Sequence, residues 1–321
     1  MTETLLQVQN LKTQFFTYGG VVEALDSVSF DIRKGEVFGL VGESGCGKSV
    51  TALSILNLVK KPGKVVSGKI FLEGENLLEK TESEMRMIRG SKISIIFQDP
   101  SAALNPVFKI GYQVAEPLIF HREIKERDAL KDAVKLLSIT RIPDPESKAK
   151  NYPHEISGGM KQRAMIAMTL ACKPDLLIAD EPTTNLDVTI EHQILHLIRE
   201  LRDEFGTSIL LITHNLGVIA EMCDRVAVMY AGVIVELSDV RTIFRNPLHP
   251  YTIRLKKAIP SAKAIGKELE EIPGSVPALI NPPSGCRFHP RCEQALPICK
   301  REKPKEAEIE SGHFVACHLS R

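Results

Sequence analysis

The chain has 321 residues, 43% of them apolar and 25% charged, a balance typical of globular proteins and enough for one large domain plus a small additional one. Its formal net charge of +1 supplies no field to steer it to nucleic acid or to an anionic bilayer, which argues against generic polyanion binding. No apolar run approaches the roughly 18 residues needed to span a bilayer, and Met1-Thr2-Glu3-Thr4 does not resemble a secretory leader, so a chain neither secreted nor membrane-spanning is expected.

Loose apolar–polar alternation over residues 5–16 and 21–32, with Gly19-Gly20 between, predicts an antiparallel hairpin. Lys34-Gly35-Glu36 then turns the chain into a short buried strand, Val37–Val41. A glycine-rich segment follows and leads into a helix with Leu53, Leu56 and Val59 on one face. Residues 93–97 form the next apolar strand. From about 104 to 170 the spacing becomes helical, as in Ala129, Ala133, Leu136 and Leu137. Further strands are expected at 176–179, 209–212 and Arg225–Tyr230, separated by helical stretches such as 188–204. This alternation predicts a mainly parallel, helix-covered sheet. After about Pro260 the composition turns to prolines, charges and cysteines without periodicity, which places a domain boundary there.

Gly42-Glu43-Ser44-Gly45-Cys46-Gly47-Lys48-Ser49 lies between the predicted strand and helix and has the spelling of a phosphate loop. Glycines allow backbone N–H groups to turn around phosphate oxygens, and the helix start adds a favourable dipole. Lys48 then reaches the outer phosphates and Ser49 ligates Mg²⁺; the nucleotide segment runs on to Val50. Cys46 has two readings: a thiol activated by the lysine and the helix end, or a small residue whose side chain the loop does not use.

The apolar run at 176–179 ends in Asp180-Glu181-Pro182, two carboxylates at the carboxyl end of a strand, where ligands of such sheets bind. Asp180 is assigned to the Mg²⁺ shell and Glu181 to the general base that polarises the attacking water. Gln98 and His214 follow two other strands and would face the same edge, Gln98 toward Mg²⁺ or the water and His214 toward the γ-phosphate. Taken singly, either is more often a merely structural polar residue; their shared edge is what raises them.

Ser157-Gly158-Gly159-Met160-Lys161-Gln162-Arg163 leads into another helical pattern, so its N–H groups form a second anion site unless it is simply a capped helix. One nucleotide does not need both sites. Two chains face to face would use them, each offering this segment to the γ-phosphate on the other. Of the seven cysteines, Cys46, Cys172 and Cys223 are scattered. Cys286, Cys292, Cys299 and Cys317 crowd the end, with 5, 6 and 17 residues between them, enough for one iron–sulfur cluster or one tetrahedral zinc, or else free or disulfide-linked thiols.

The phosphate loop, Gln98, residues 156–162 and 176–181, Thr184-Asn185-Leu186-Asp187 and His214, in this order, resemble the motif set of an ABC ATPase. The resemblance implies an α/β phosphate-loop NTPase core with an N-terminal antiparallel β subdomain and a helical subdomain at about 104–170, hydrolysing ATP with Mg²⁺. It further implies that Ser157 and Gly159, with Gly158 between them, act in trans, that Asp187 lies at a dimer seam, and that an aromatic stacks on adenine, here Tyr18 or next Phe16. Asn185 and Ile156 depart mildly from the common pattern without removing a chemical group.

Gln98-Asp99-Pro100 with Leu104-Asn105-Pro106, the segment Asn246-Pro247-Leu248-His249-Pro250-Tyr251-Thr252, and the terminal cysteines together resemble the ATP-binding subunits of dipeptide and oligopeptide importers. That resemblance implies a nucleotide-binding domain over 1–259 and a C-terminal extension over 260–321 carrying a [4Fe–4S] cluster, with Zn²⁺ the alternative. Its implied partners are two transmembrane permeases that insert a coupling helix at 104–170, a second ATPase chain of the same or different kind, and an extracytoplasmic peptide-binding protein, at the cytoplasmic face of the membrane and without nucleic acid. Two other classes are weighed against it: a soluble ABC ATPase acting on nucleic acid or ribosomes, which usually carries two cassettes or long coiled-coil arms, and a redox-sensing binding module.

Overall fold

The computed structural model describes residues 3–184, 186–258 and 272–320, so Asn185 and the boundary expected near Pro260 lie outside the described residues. Strands β1 (Thr4–Thr17) and β2 (Gly20–Arg33) pair antiparallel around Tyr18-Gly19. Strand β3 (Val37–Val41) is buried at every residue and runs into α1 (Lys48–Ile55). Strands β4 (Gly63–Leu72) and β5 (Glu75–Asn76) follow, then α2 (Glu82–Ile88), which opens on a Thr81–Glu84 capping box. Next come β6 (Ile93–Ile96), α3 (Pro100–Ala103), α4 (Ile110–Arg122), α5 (Glu126–Ile139), α6 (Pro145–Lys148) and α7 (Gly158–Leu170). The chain continues through β7 (Leu176–Asp180), α8 (Val188–Phe205), β8 (Ser208–Thr213), α9 (Leu216–Met222), β9 (Arg225–Tyr230) and β10 (Val233–Asp239). Helices α10 (Val240–Arg245) and α11 (Pro250–Lys257) and strands β11 (Ala307–Glu310) and β12 (His313–Val315) complete it.

These elements form two compact units, residues 1–79 with 211–321, and residues 80–210. The first holds one sheet of order β2-β1-β4-β5, all antiparallel, and a second in which β11, β12, β10, β9 and β3 are successive neighbours. Only β3–β9 is parallel there; the other pairs are antiparallel. The predominantly parallel expectation gives way on this side because Ala231-Gly232, both at positive φ (45° and 84°), turn β9 tightly back as β10. Strand β4 escaped the sequence reading because Gly63-Lys64-Val65-Val66-Ser67-Gly68 is half exposed and half partly buried, with no fully buried residue to set a period of two.

In the second unit β6 and β7 pair in parallel, and the helical segment packs around Ile110, Val114, Ala129, Ala133, Leu137 and Ala164. Helices α4, α5 and α7 meet there through small residues, which lets their backbones approach closely. Among the described residues, no helix is long and apolar enough to cross a membrane.

Within the first unit, the C-terminal residues are tied to the β strands by buried polar contacts. Glu236 of β10 is fully buried; its carboxylate accepts from the backbone N–H groups of Leu248 and His249 and pairs with His313 Nε2 at 2.8 Å. Asp26 of β2, 7% exposed, meets Lys12 at 3.0 Å, Arg287 at 3.3 Å and Lys303. Burial pushes the Asp26 carboxyl up, but the Lys303, Lys12 and Arg287 charges outweigh it and hold the pKa at about 2, against 3.8 for the free group. A depressed carboxylate stabilises the fold above its unfolded pKa and loses that contribution as pH falls through the folded value. The wild-type chain is therefore expected to exceed Asp26→Asn in urea unfolding free energy at neutral pH by about 1–2 kcal/mol, allowing for screening at the exposed lysines. Titration from about pH 5 to pH 2 closes that gap; a gap that does not change with pH contradicts the assignment.

Candidate active site

The phosphate loop leaves the buried end of β3 and closes on α1. Gly42, Cys46, Gly47 and Lys48 form its buried floor, and Ser44, Gly45 and Ser49 its exposed lip. Two glycines are required by geometry. A Cβ on Gly42 would sit 2.1 Å from the Met229 carbonyl oxygen, and Gly47 is at φ +110° with the Ala24 carbonyl 2.8 Å from where its Cβ would be. The Lys48 ammonium donates to the carbonyls of Gly42 at 2.8 Å and Glu43 at 3.1 Å, which holds it inside the loop. Helix α1 starts at Lys48, and in any α-helix the first-turn N–H groups lack intrahelical acceptors.

The Cys46 side chain is fully buried, and burial raises its pKa to about 11 despite Lys48 nearby. Of its two readings, the small residue holds and the activated thiol does not. Tyr18, at the tip of the β1–β2 turn, is completely exposed, and Phe16 of β1 is half-exposed.

In the second unit, Asp180 ends the buried strand β7 and is itself buried. Glu181 follows at φ +47°, a left-handed conformation that costs a non-glycine residue about 1 kcal/mol or more. Its carboxylate accepts from Gln98 Nε2 at 3.1 Å and Thr184 Oγ1 at 2.9 Å, so two donors fix the side chain that the backbone turns outward. Gln98 and Glu181 are thus together, as expected, and Thr184 joins them. Gln162 Nε2 donates to the Pro182 carbonyl at 2.6 Å, linking α7 to the same turn.

Ser157 caps α7, its Oγ accepting from Met160 N–H at 3.4 Å. A Cβ on Gly158 would meet nothing within 4 Å, and one on Gly159 only Ile190 at 3.5 Å, so packing among the described residues does not demand glycine at either position. Asp187 caps α8, accepting from Thr189 and Ile190 N–H at 3.1 and 3.0 Å. In the first unit, His214 is exposed just beyond β8.

Sequence reasoning missed the partners that hold the phosphate loop. Glu43 N–H donates to the Tyr251 hydroxyl at 3.0 Å, Gly232 N–H to the Cys46 carbonyl at 2.8 Å, and the Glu43 carboxylate accepts from Arg291 Nη1 and Nη2 at 2.7 and 3.1 Å. Tyr251 lies within the importer-like segment and Arg291 beside Cys292, but no local spacing connects either to residue 43.

All seven cysteines are free thiols. Burial raises the pKa of Cys286 to about 11, and the charges of Cys299, Cys317 and Cys292 raise it further, so the four terminal thiols are electrostatic neighbours. Burial likewise raises Cys292 and Cys317. Among the described residues no three His, Cys, Asp or Glu side chains are gathered closely enough to hold a metal ion. Four soft donors that repel one another once ionised still fit, in type and number, an iron–sulfur cluster or zinc.

Residues 25–184 match the family described as ABC transporter, and residues 235–299 match the oligopeptide/dipeptide transporter C-terminal region. The oligopeptide transport ATP-binding protein AppD of Bacillus subtilis is 50% identical over 98% of this chain and 97% of its own. The dipeptide transport ATP-binding protein DppD of the same organism is 48% identical, over 99% and 95%. The oligopeptide transport ATP-binding protein OppD of Salmonella typhimurium is 45% identical, over 98% and 93%. Among solved structures, the ATP-binding cassette MJ0796, a dimer bound to ADP and Pi in a post-hydrolysis state, superposes with a TM-score of 0.66 at 26% identity, covering 74% of this chain and 99% of that one. A strand-to-helix phosphate loop, a carboxylate-ended buried strand and a capped Ser-Gly-Gly helix thus recur here with relatives matched over nearly their full length, and the chain belongs to the ATP-binding subunits of the ABC transporter family, on the branch that carries the oligopeptide/dipeptide transporter C-terminal region.

Proposed function

We propose that this chain powers the import of dipeptides or oligopeptides, hydrolysing ATP at the cytoplasmic face of the membrane for two permeases supplied by an extracytoplasmic peptide-binding protein. One observation carries the reading: the ATPase cassette and the peptide-transporter C-terminal region occur in one chain, matched end to end by relatives named for dipeptide and oligopeptide transport. The division into a nucleotide-binding domain over 1–259 and an extension over 260–321 belongs to the same proposal.

Lys48 and Ser49 hold the outer phosphates and Mg²⁺, Asp180 completes the Mg²⁺ shell, and Glu181, steadied by Gln98 and Thr184, polarises the attacking water. His214 contacts the γ-phosphate, and Tyr18 or Phe16 stacks on adenine. Ser157 and Gly159 of a second ATPase chain, identical or different, close over the γ-phosphate. The open space around Gly158 and Gly159 supports this role, because glycine there serves an approach from outside the unit. Asp187 lies at the seam between the two chains. Val107, 70% exposed, and Phe108, 45% exposed, offer apolar contact beside the helical subdomain, where a permease coupling helix would dock. Nucleotide-driven closure and release then shift the permeases between two states.

We further propose that Cys286, Cys292, Cys299 and Cys317 hold a [4Fe–4S] cluster, with zinc the alternative. The group would supply a structural crosslink to an extension with little apolar core of its own.

Reconstituted with permeases and binding protein, the chain is expected to hydrolyse ATP faster when the bound peptide is added; no peptide response from any dipeptide or oligopeptide would remove the importer reading. Glu181→Gln should retain ATP binding and lower turnover by about 100-fold or more, while Lys48→Ala loses binding, as nucleotide titration and phosphate release will show. Normal turnover by Glu181→Gln eliminates Glu181 as the base. Iron and labile-sulfide analysis of anaerobically purified protein should find about four of each per chain. Stoichiometric zinc without sulfide selects the alternative, and neither element overturns both.

A further inference from the structure

We infer that Arg291 is a positioning residue for nucleotide binding: held in the cysteine-rich extension, its guanidinium neutralises and anchors Glu43 of the phosphate loop, so that the extension sets the loop's affinity for a triphosphate. The contact is bidentate, at 2.7 and 3.1 Å, and the Arg291 side chain is only 6% exposed. Such fork geometry fixes direction as well as distance.

Arg291 is itself clasped. Its Nε donates to the Pro273 carbonyl at 2.8 Å, Nη2 to those of Ile272 and Gly274 at 3.0 and 3.2 Å, and the guanidinium lies 5.8 Å from the Tyr230 ring centre. It also donates to the Tyr230 hydroxyl at 3.4 Å. Tyr230 in turn packs against Tyr251 and Phe288, and Tyr251 accepts the Glu43 N–H. The loop residue is therefore gripped at both its backbone and its carboxylate.

Charge explains why the grip bears on nucleotide. Glu43 stands in a loop that receives a polyanion, and its own carbonyl accepts the Lys48 ammonium. Paired with Arg291, the carboxylate presents no net charge to phosphate; unpaired, it is a fixed negative charge beside the binding lysine. A guanidinium keeps its charge across the working pH range, and the bidentate contact places that charge directly on the Glu43 carboxylate. Arg287, from the same Cys286–Cys292 loop, anchors that loop separately to Glu23 at 2.7 Å and to the Ala231 carbonyl.

The inference rests on Gly42 to Ser49 being the phosphate site, and the test separates the two. A fluorescent ATP analogue is titrated into the full-length chain with Mg²⁺, and KM and kcat are measured on the same protein. Arg291→Gln should weaken nucleotide binding about 10-fold or more and raise KM in step, with kcat at saturating ATP within about twofold. Arg291→Lys should fall between. The decisive variant is Arg291→Gln with Glu43→Gln, which removes the stranded carboxylate and should recover affinity to within about threefold of wild type. A double variant as weak as the single would mean that Arg291 only secures the extension, and unchanged affinity in Arg291→Gln would show that the pair is not coupled to nucleotide. Either result overturns the inference while Lys48→Ala still loses binding; if Lys48→Ala binds normally, the phosphate-site reading falls as well.

Discussion

A loop that offers its amide N–H groups to a polyphosphate cannot also use them to hold itself, so its shape must be imposed by neighbours. Apart from the Cys46 N–H bond to the Glu43 carbonyl and the Lys48 bonds to the Gly42 and Glu43 carbonyls, the contacts around residues 42–49 answer that constraint. Gly42 lies so close to the Met229 carbonyl that no side chain fits, and Gly47 takes a left-handed turn against Ala24. The Cys46 carbonyl is tied to Gly232, and Glu43 is tied through its amide and carboxylate. Most of these contacts come from β9, the turn after it, α11 and the cysteine-rich extension, more than 180 residues away in the chain. The anion site is thus local in composition and non-local in support.

The end of β7 solves a different problem. Glu181, proposed above as the base, follows a strand whose residues are all buried, and the chain leaves that strand by taking Glu181 to positive φ immediately after Asp180. Such backbone strain persists only when surrounding contacts over-determine it. Gln98, Thr184 and the Gln162 bond to Pro182 supply those contacts, so the strained residue, its positioning donors and the signature helix form one rigid turn. That Gln162 reaches this turn links the helix carrying Ser157 to the Glu181 turn of the same chain.

The C-terminal residues are held by ion pairs and hydrogen bonds as well as by apolar packing. Glu236 with His313, Asp26 with Arg287 and Lys303, and Glu43 with Arg291 are buried or half-buried pairs linking them to the β strands and the phosphate loop. Buried pairs often add little net stability because desolvation offsets the attraction, but removing one partner is costly, so they define one docked arrangement sharply. Phe288 adds an apolar anchor among Tyr230 and Tyr251.

Local patterns determined the hairpin over 4–33, the strand–loop–helix through Gly42 to Ser49, the buried strands β6, β7, β8 and β9 and the helix α8, because each depends on periodicity or on spacing within a few residues. The half-exposed strand β4 left no periodic trace, and β10 was passed over although Ala231-Gly232 marks its turn. Which reading of Cys46 is right, that Thr184 joins Gln98 on Glu181, and that Tyr251 and Arg291 grip Glu43 were decided by tertiary structure alone. Burial fixes the thiol's chemistry, and burial is a property of the packed chain. A buried arginine's choice among several carboxylates is set by where the backbone brings them, since a single Arg beside a single Cys carries no record of the residue it will meet some 250 positions away.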